Sequence, residues 1–168
     1  MKEVRITDNY LQKTTQEGMD VFLQTVTDGI LTAIGGELNE ETIQEINAQQ
    51  ITLLAYHILR DEVMDGGFVQ LIHNGYGPFI FKNPFDKAIR AWGLADLCSL
   101  IRKVHKLYNR FHEEIERECS DEEFMAMFEQ IPEFDEFDDR FVENEEEWTA
   151  QVARYVDEHI GQFAMIEK

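Results

Sequence analysis

The apolar residues of this chain recur at intervals of three and four, and this spacing constrains the fold more than any other feature. The clearest run has spacings of 4, 3, 4, 3 and 4, and consists of Leu97, Ile101, Val104, Tyr108, Phe111 and Ile115. In an α-helix, residues three and four apart lie on the same face. The run therefore predicts one long amphipathic helix near residues 95–118.

Three other stretches have the same spacing. Residues 19–30 form a stripe that stops before Gly35-Gly36, a typical helix end. Residues 51–59 form a second stripe, in a segment that runs to Asp65, and residues 148–163 form a third. Strict alternation, the mark of strands, is hard to find. The sequence predicts an all-α fold, a single domain over residues 1–168 with about seven helices.

The sequence alone does not determine how two stretches pack. The stripe of the long helix faces either the core of the chain or a second copy in a homodimer. Residues 74–83 are rich in Gly and Pro and are expected to be irregular. Because Phe79, Ile80 and Phe81 are too apolar to remain in water, this loop is expected to fold back onto the helices.

The net charge of the chain limits the kinds of molecule that it can bind. The chain has 34 acidic and 15 basic residues, a formal net charge of −19. Such a surface repels nucleic acid and anionic lipid, so neither direct nucleic-acid binding nor membrane binding is expected, whereas a basic protein is attracted. No secretory leader and no apolar run of about 18 residues is evident, and Cys98 and Cys119 are expected to be reduced thiols. These features favour a cytoplasmic protein.

Most of the charge imbalance lies in one segment, residues 113–147, which we call the acidic block. It has 17 acidic residues against Arg117 and Arg140, whereas the remaining 133 residues have 17 acidic and 13 basic ones. Aromatic side chains such as Phe124, Phe134 and Phe141 are threaded through the block and are expected to anchor it on the core. The carboxylates would then be ordered, unlike those of a disordered acidic tail.

The acidic block has two interpretations. Duplex DNA has one negative charge per ~1.7 Å of axis. The net charge of the acidic block therefore corresponds to roughly 25 Å of duplex, which is enough to occupy one DNA-binding module. The block either imitates DNA in this way or keeps the protein soluble. The candidate partner-binding carboxylates are Glu122, Glu123, Glu129, Glu133, Asp135, Glu136, Glu143, Glu145, Glu146 and Glu147. Asp138 and Asp139 rank lower because Asp-Asp-Arg-Phe at 138–141 is typical of a structural junction.

Residues 62–70, Glu-Val-Met-Asp-Gly-Gly-Phe-Val-Gln, form the most distinctive motif. With Asn74, Gly77 and the later Asp-Arg-Phe, they resemble the DNA-mimic-protein family, which also carries a domain-of-unknown-function label, over about residues 45–165. The resemblance implies an all-helical fold, no known catalysis and imitation of DNA toward a transcription regulator. The matching residues are Glu62, Asp65, Gly66, Gly67, Phe68, Gln70, Asn74, Gly77, Asp139, Arg140 and Phe141.

The matching residues are of structural rather than acidic-mimic type. Asp65 stands where the family usually has Asn, and both residues tolerate left-handed backbone. Gly66-Gly67 are expected to break the helix, with Phe68 pointing inward. The amides of Gln70 and Asn74 are expected to satisfy backbone groups left over at the break.

The sequence lacks the common motifs for catalysis. The sequence has no Gly-rich phosphate loop followed by Lys, no Gly-x-Ser-x-Gly and no His-Glu-x-x-His. His112, Glu113 and Glu116 begin a metal-helix pattern that lacks its second His. His73 is the least implausible catalytic residue, but it has no evident nucleophile to serve. No enzyme, no cofactor and no metal site are predicted.

The sequence therefore favours an acidic DNA mimic, which competes with DNA for a basic DNA-binding protein such as a transcription regulator. The alternative is an interaction module of the immunity type, which neutralises a basic protein that need not bind DNA. A third possibility, an undetected enzyme, would require a pocket that joins His73 to a second titratable group.

Overall fold

Helices account for 77% of the computed structural model, which describes residues 1–168. The α-helices are α1 (Asp8–Gln16), α2 (Met19–Ala33), α3 (Ala48–His73), α4 (Phe85–Ala91), α5 (Ala95–Glu116), α6 (Asp121–Gln130) and α7 (Asp135–Glu158). Short 3-10 turns lie at Thr42–Glu45, Pro132–Phe134 and Ile160–Gln162. The predicted all-α fold and the long helix near residues 95–118 are confirmed. No helix is both long enough and apolar enough to cross a membrane.

Two three-residue strands were not predicted. Strand β1 (Arg5–Thr7) pairs in parallel with β2 (Met165–Glu167), with Ile6 opposite Ile166. Three residues are too few for alternation to be recognised in a sequence, and the two partners come from opposite ends of the chain. The pair joins the two termini within one compact unit.

The chain divides into two compact units, residues 1–57 with 147–168, and residues 58–146. The first unit has a core built on α2 and the end of α7, with Phe22, Val26 and Val152 buried. Its polar groups are paired: the hydroxyls of Tyr56 and Thr149 lie 2.7 Å apart. That the whole chain forms one domain remains a prediction.

The core of the second unit contains the apolar stripe of α5. Leu97, Ile101, Val104, Tyr108 and Ile115 are buried, and Phe111 is half-buried. The chain itself covers these side chains, which supports the core interpretation of the stripe over a subunit interface.

The segment between α3 and α4 folds back as predicted. Pro78–Lys82 forms a short π-helical turn that buries Ile80 and Phe81. The ring of Phe81 stacks on that of Tyr108 with centroids 5.0 Å apart. Ile80 and Phe81 are thereby part of the core of the second unit, whereas Phe79 is half-buried.

Candidate functional site

Helix α3 is interrupted inside the motif at residues 62–70. Gly66 (φ −146°) and Gly67 (φ +76°) leave helical geometry, and Phe68 after them is buried. A φ of +76° lies in the left-handed region, which residues with a Cβ rarely adopt. The predicted break and the inward direction of Phe68 are both confirmed.

Asp138 of α7 satisfies the backbone at this break. Its Oδ1 accepts a hydrogen bond of 2.8 Å from the backbone N–H of Phe68. A Cβ added at Gly67 would lie 2.5 Å from Asp138 Oδ2, so Gly67 is required by the close approach as well as by its φ. Burial raises the pKa of Asp138 to about 7, opposed by the Phe68 N–H and assisted by the carboxylates of Asp135 and Asp139.

The Asp-Asp-Arg-Phe segment is therefore a junction, but its residues contribute unequally. Phe141 is buried and meets the ring of Phe68 edge-on at 6.3 Å. Asp139 is exposed, and Arg140 pairs with Glu136 at 3.1 Å. Asp138, rather than the Asp139 singled out from the sequence, makes the contact with the α3 break. The two adjacent Asp residues are indistinguishable until the helix register is known.

The side-chain amides of the motif do not bind backbone groups. Gln70 Nε2 donates to Glu62 Oε2 at 2.8 Å and to Asp65 Oδ2 at 3.0 Å, and Asn74 Nδ2 donates to Glu62 Oε2 at 3.0 Å. The expectation that they satisfy the backbone was wrong, because Asp138 pairs with the Phe68 N–H and the carboxylates of Glu62 and Asp65 accept from the amides. Gly66 makes room for this cluster, since a Cβ there would overlap Gln70.

Gly77 has a packing role. A Cβ at this position would overlap the ring of Tyr108, a buried residue of α5. The motif residues thus hold α3, α5 and α7 of the second unit together.

The candidate carboxylates lie on α6, on the turn at Pro132–Phe134 and on α7. Nine of the ten are exposed: Glu122, Glu123, Glu129, Glu133, Asp135, Glu136, Glu143, Glu146 and Glu147. Eight of these belong to the second unit, and Glu147 belongs to the first. We call the eight exposed carboxylates from Glu122 to Glu146 the acidic face.

Glu145 differs from the other nine. Its side chain is only 13% exposed and its Oε1 lies 2.5 Å from Nε of Arg60. The pair neutralises its charge, so Glu145 contributes to the fold of the second unit rather than to the acidic face. Sequence reasoning missed this because Arg60 lies 85 residues away along the chain.

The acidic face has an ordered, apolar support. Met127, Ile131, Phe134 and Phe141 are buried beneath it. Helix α6 begins with a capping box, in which the Ser120 hydroxyl accepts from the Glu123 N–H at 3.2 Å and Glu123 Oε1 accepts from the Ser120 N–H at 3.4 Å. The carboxylates are therefore held on fixed helices, as the threaded aromatic residues predicted.

Two apolar side chains lie exposed among these carboxylates. Met125 of α6 is 64% exposed and Val142 of α7 is 52% exposed. Isolated apolar residues are common on surfaces, but here they sit on the same two helices as the acidic face.

His73 has the environment of a packed side chain. Its Nδ1 donates to the carbonyl oxygen of Ile115 at 2.8 Å, and its ring stacks on Phe124 with centroids 4.5 Å apart. Both contacts fix α6 and the end of α5 against α3. His112 lies 3.4 Å from Glu116, and no group of three His, Cys, Asp or Glu side chains is placed to hold a metal ion.

Known proteins resemble this chain over most of its length. A family model described as "DMP19-like protein" matches residues 44–159. The protein named "DNA mimic protein DMP19" from Neisseria meningitidis serogroup B is 30% identical over 131 residues, which are 77% of this chain and 79% of that protein. The family model spans the α3 break, the junction at Asp138 and the acidic face. On this evidence, the chain belongs to the DMP19-like protein family.

Proposed function

We propose that this protein is a DNA mimic, which uses the acidic face to compete with DNA for a basic DNA-binding protein such as a transcription regulator. The observation that carries the proposal is the ordered acidic face: eight exposed carboxylates held on α6, α7 and the turn between them. The name of the Neisseria relative, a DNA mimic, supports the same function. The protein acts by binding and needs no cofactor.

Electrostatics supports a mimic of this size. The acidic block has a net charge of −15 over 35 residues, since 17 acidic residues stand against two arginines. This is the charge of roughly 25 Å of duplex DNA. The field of such a surface accelerates the encounter with a basic protein, and added salt screens it. Arg and Lys side chains that normally contact phosphates would contact these carboxylates instead.

Attraction alone does not give a lasting complex, because exposed ion pairs contribute little after desolvation and salt screening. Met125 and Val142 supply apolar area beside the acidic face. Burial of these two side chains in the complex would slow dissociation, while the carboxylates would mainly set the rate of association.

Capture from a native lysate at low salt tests the proposal. The first variant replaces Glu129, Glu133, Glu143 and Glu146 with Gln; the matched control replaces Glu17, Glu37, Glu40 and Glu41, which are exposed in the first unit. Both variants have a net charge of −15. Wild type and control are expected to capture a DNA-binding protein, which salt or added duplex DNA releases, and the first variant is expected to lose it.

Two results would contradict the proposal. Equal capture by both variants would show that total charge, and not the acidic face, attracts the partner. Capture of a basic protein that does not bind DNA, and that duplex DNA fails to release, would instead establish the alternative of a neutralising, immunity-type module.

A further inference from the structure

The basic residues of the chain are as unevenly distributed as the acidic ones. Seven of the 15 lie within residues 82–110, namely Lys82, Lys87, Arg90, Arg102, Lys103, Lys106 and Arg110. Only Asp86 and Asp96 oppose them there. A segment with a net charge of +5 thus exists in a chain whose net charge is −19. The proposed role of the acidic face does not account for the positive charge of this segment.

Part of this charge surrounds a concavity between α4 and α5. Its volume is about 380 Å³, and it is lined by Arg90 of α4 and by Ser99, Arg102, Lys103 and Lys106 of α5, with Ala95 and Cys98 beside them. The α5 residues recur at three- and four-residue spacing on the face opposite the buried stripe. The cationic side chains therefore converge on one place.

The concavity keeps an excess of positive charge. Arg102 Nε lies 3.0 Å from Asp86 Oδ2, which fixes the guanidinium. No carboxylate lies within ion-pair distance of Arg90, Lys103 or Lys106. Three cations without a counterion lie close together at the cost of mutual repulsion, and an anionic ligand would relieve it.

We propose that this concavity binds the polyphosphate group of a small molecule. Guanidinium groups recognise phosphate oxygens through paired N–H donors, lysine ammonium groups add point charges, and the Ser99 hydroxyl is a further donor. The volume lies at the small end of the range of ligand sites, ~300–1,000 Å³. An extended polyanion is disfavoured because the rest of the chain repels it, whereas a small ligand encounters only the local positive field.

Calorimetric titration of the full-length protein with sodium tripolyphosphate at about 0.15 M ionic strength, where the Debye length is about 8 Å, tests the site. The first variant is Arg90→Gln/Lys103→Gln/Lys106→Gln, which leaves the Arg102–Asp86 pair intact. The matched control is Lys13→Gln/Arg154→Gln/Lys168→Gln, whose sites are exposed in the first unit. Both variants have a net charge of −22. We expect the first to bind at least about tenfold more weakly than wild type, and the control to bind within about twofold of it.

The single substitution Lys103→Gln is expected to give an intermediate loss, which keeps the test decisive if the triple variant fails to fold. Equal affinity of the two triple variants, or no binding by wild type, would overturn the proposal. Tighter binding of a short DNA duplex than of tripolyphosphate would also overturn it, because the occupant would then be an extended polyanion.

Further titrations distinguish the sources of the group. Adenosine triphosphate that binds more tightly than tripolyphosphate indicates a nucleotide. Cosedimentation with vesicles that contain phosphatidylinositol bisphosphate indicates a lipid headgroup, provided that the first triple variant loses it. Either result supports a polyphosphate site and names its ligand. The site does not depend on the DNA-mimic function, because its residues are absent from the acidic face.

Discussion

The carboxylate of Asp138 accepts a hydrogen bond from the backbone N–H of Phe68, and this contact ties the start of α7 to the interruption of α3. The interruption exposes a backbone donor that a continuous helix would have used internally. Asp138 pairs with that donor in a largely buried position, and Gly67 leaves it the space to do so. The contact supports the helix from which the acidic face projects.

Gly67→Ala is expected to destabilise the protein by about 2–4 kcal/mol, because the new Cβ meets both an unfavourable φ and the Asp138 carboxylate. Urea unfolding followed by circular dichroism measures the change. Gly75→Ala is the matched control, since its φ of +89° is similar and nothing lies within 4 Å of its Cβ position. A loss of similar size in both variants would mean that the close approach of Asp138 has no special cost.

Asp138 predicts a pH dependence of stability. Its pKa is raised from 3.8 to about 7 in the folded protein, so between these values the folded state holds a proton that the unfolded state has lost. The bound proton favours folding at the low end of this pH range. The free energy of unfolding therefore falls as pH rises through the range, by up to about 1.4 kcal/mol per pH unit.

Asp138→Asn removes this titration while it keeps an oxygen that accepts from Phe68. The difference in unfolding free energy, variant minus wild type, is expected to grow in favour of the variant from pH 5 to pH 8. Asp139→Asn, at an exposed neighbouring position, is the control and should show no such trend. A difference for Asp138→Asn that does not change with pH would contradict the raised pKa.

Glu145 and Glu146 are adjacent in sequence and are expected to respond differently to substitution. Glu145→Gln removes the ion pair with Arg60 in a largely buried setting, at a cost of about 1–3 kcal/mol. Glu146→Gln, at an exposed position, should change stability by less than about 0.5 kcal/mol. Urea unfolding of both variants checks the assignment, and equal effects would place Glu145 on the surface after all.

The capping box of α6 is a further test of the support beneath the acidic face. Ser120→Ala removes the hydroxyl that accepts from the Glu123 N–H, with an expected loss of about 1 kcal/mol. Ser99→Ala, at an exposed position inside α5, is the control and should be neutral or slightly stabilising. Thermal unfolding monitored at 222 nm compares them, and equal midpoints would show that the box does not order α6.

Local patterns in the sequence predicted much of this structure. Helical spacing identified the stripe of α5, and adjacent glycines identified the break in α3, because both signals lie within a few residues. Pairings between distant segments were not predicted. Arg60 with Glu145, Asp138 with Phe68, and β1 with β2 depend on how helices and termini meet, which spacing along one segment does not determine.

The assignment of the acidic face shows the same limit. Composition located the acidic block, and the ten chosen carboxylates include nine that are exposed. Composition did not identify Glu145 as the carboxylate that pairs with Arg60, because composition does not distinguish a buried Glu from an exposed one. Its partner becomes apparent only once α3 and α7 are placed within the second unit.

The sequence of charges along α5 has a consequence for how a partner arrives. Arg102, Lys103 and Lys106 precede Glu113, Glu114 and Glu116 at the end of the helix. This order runs in the same direction as the helix macrodipole, positive at the start and negative at the end, so the two dipoles add. A charged protein that approaches the second unit therefore exerts a torque on it as well as a pull. The protein is therefore turned by this field before contact, and the orientation of the first encounter is not random.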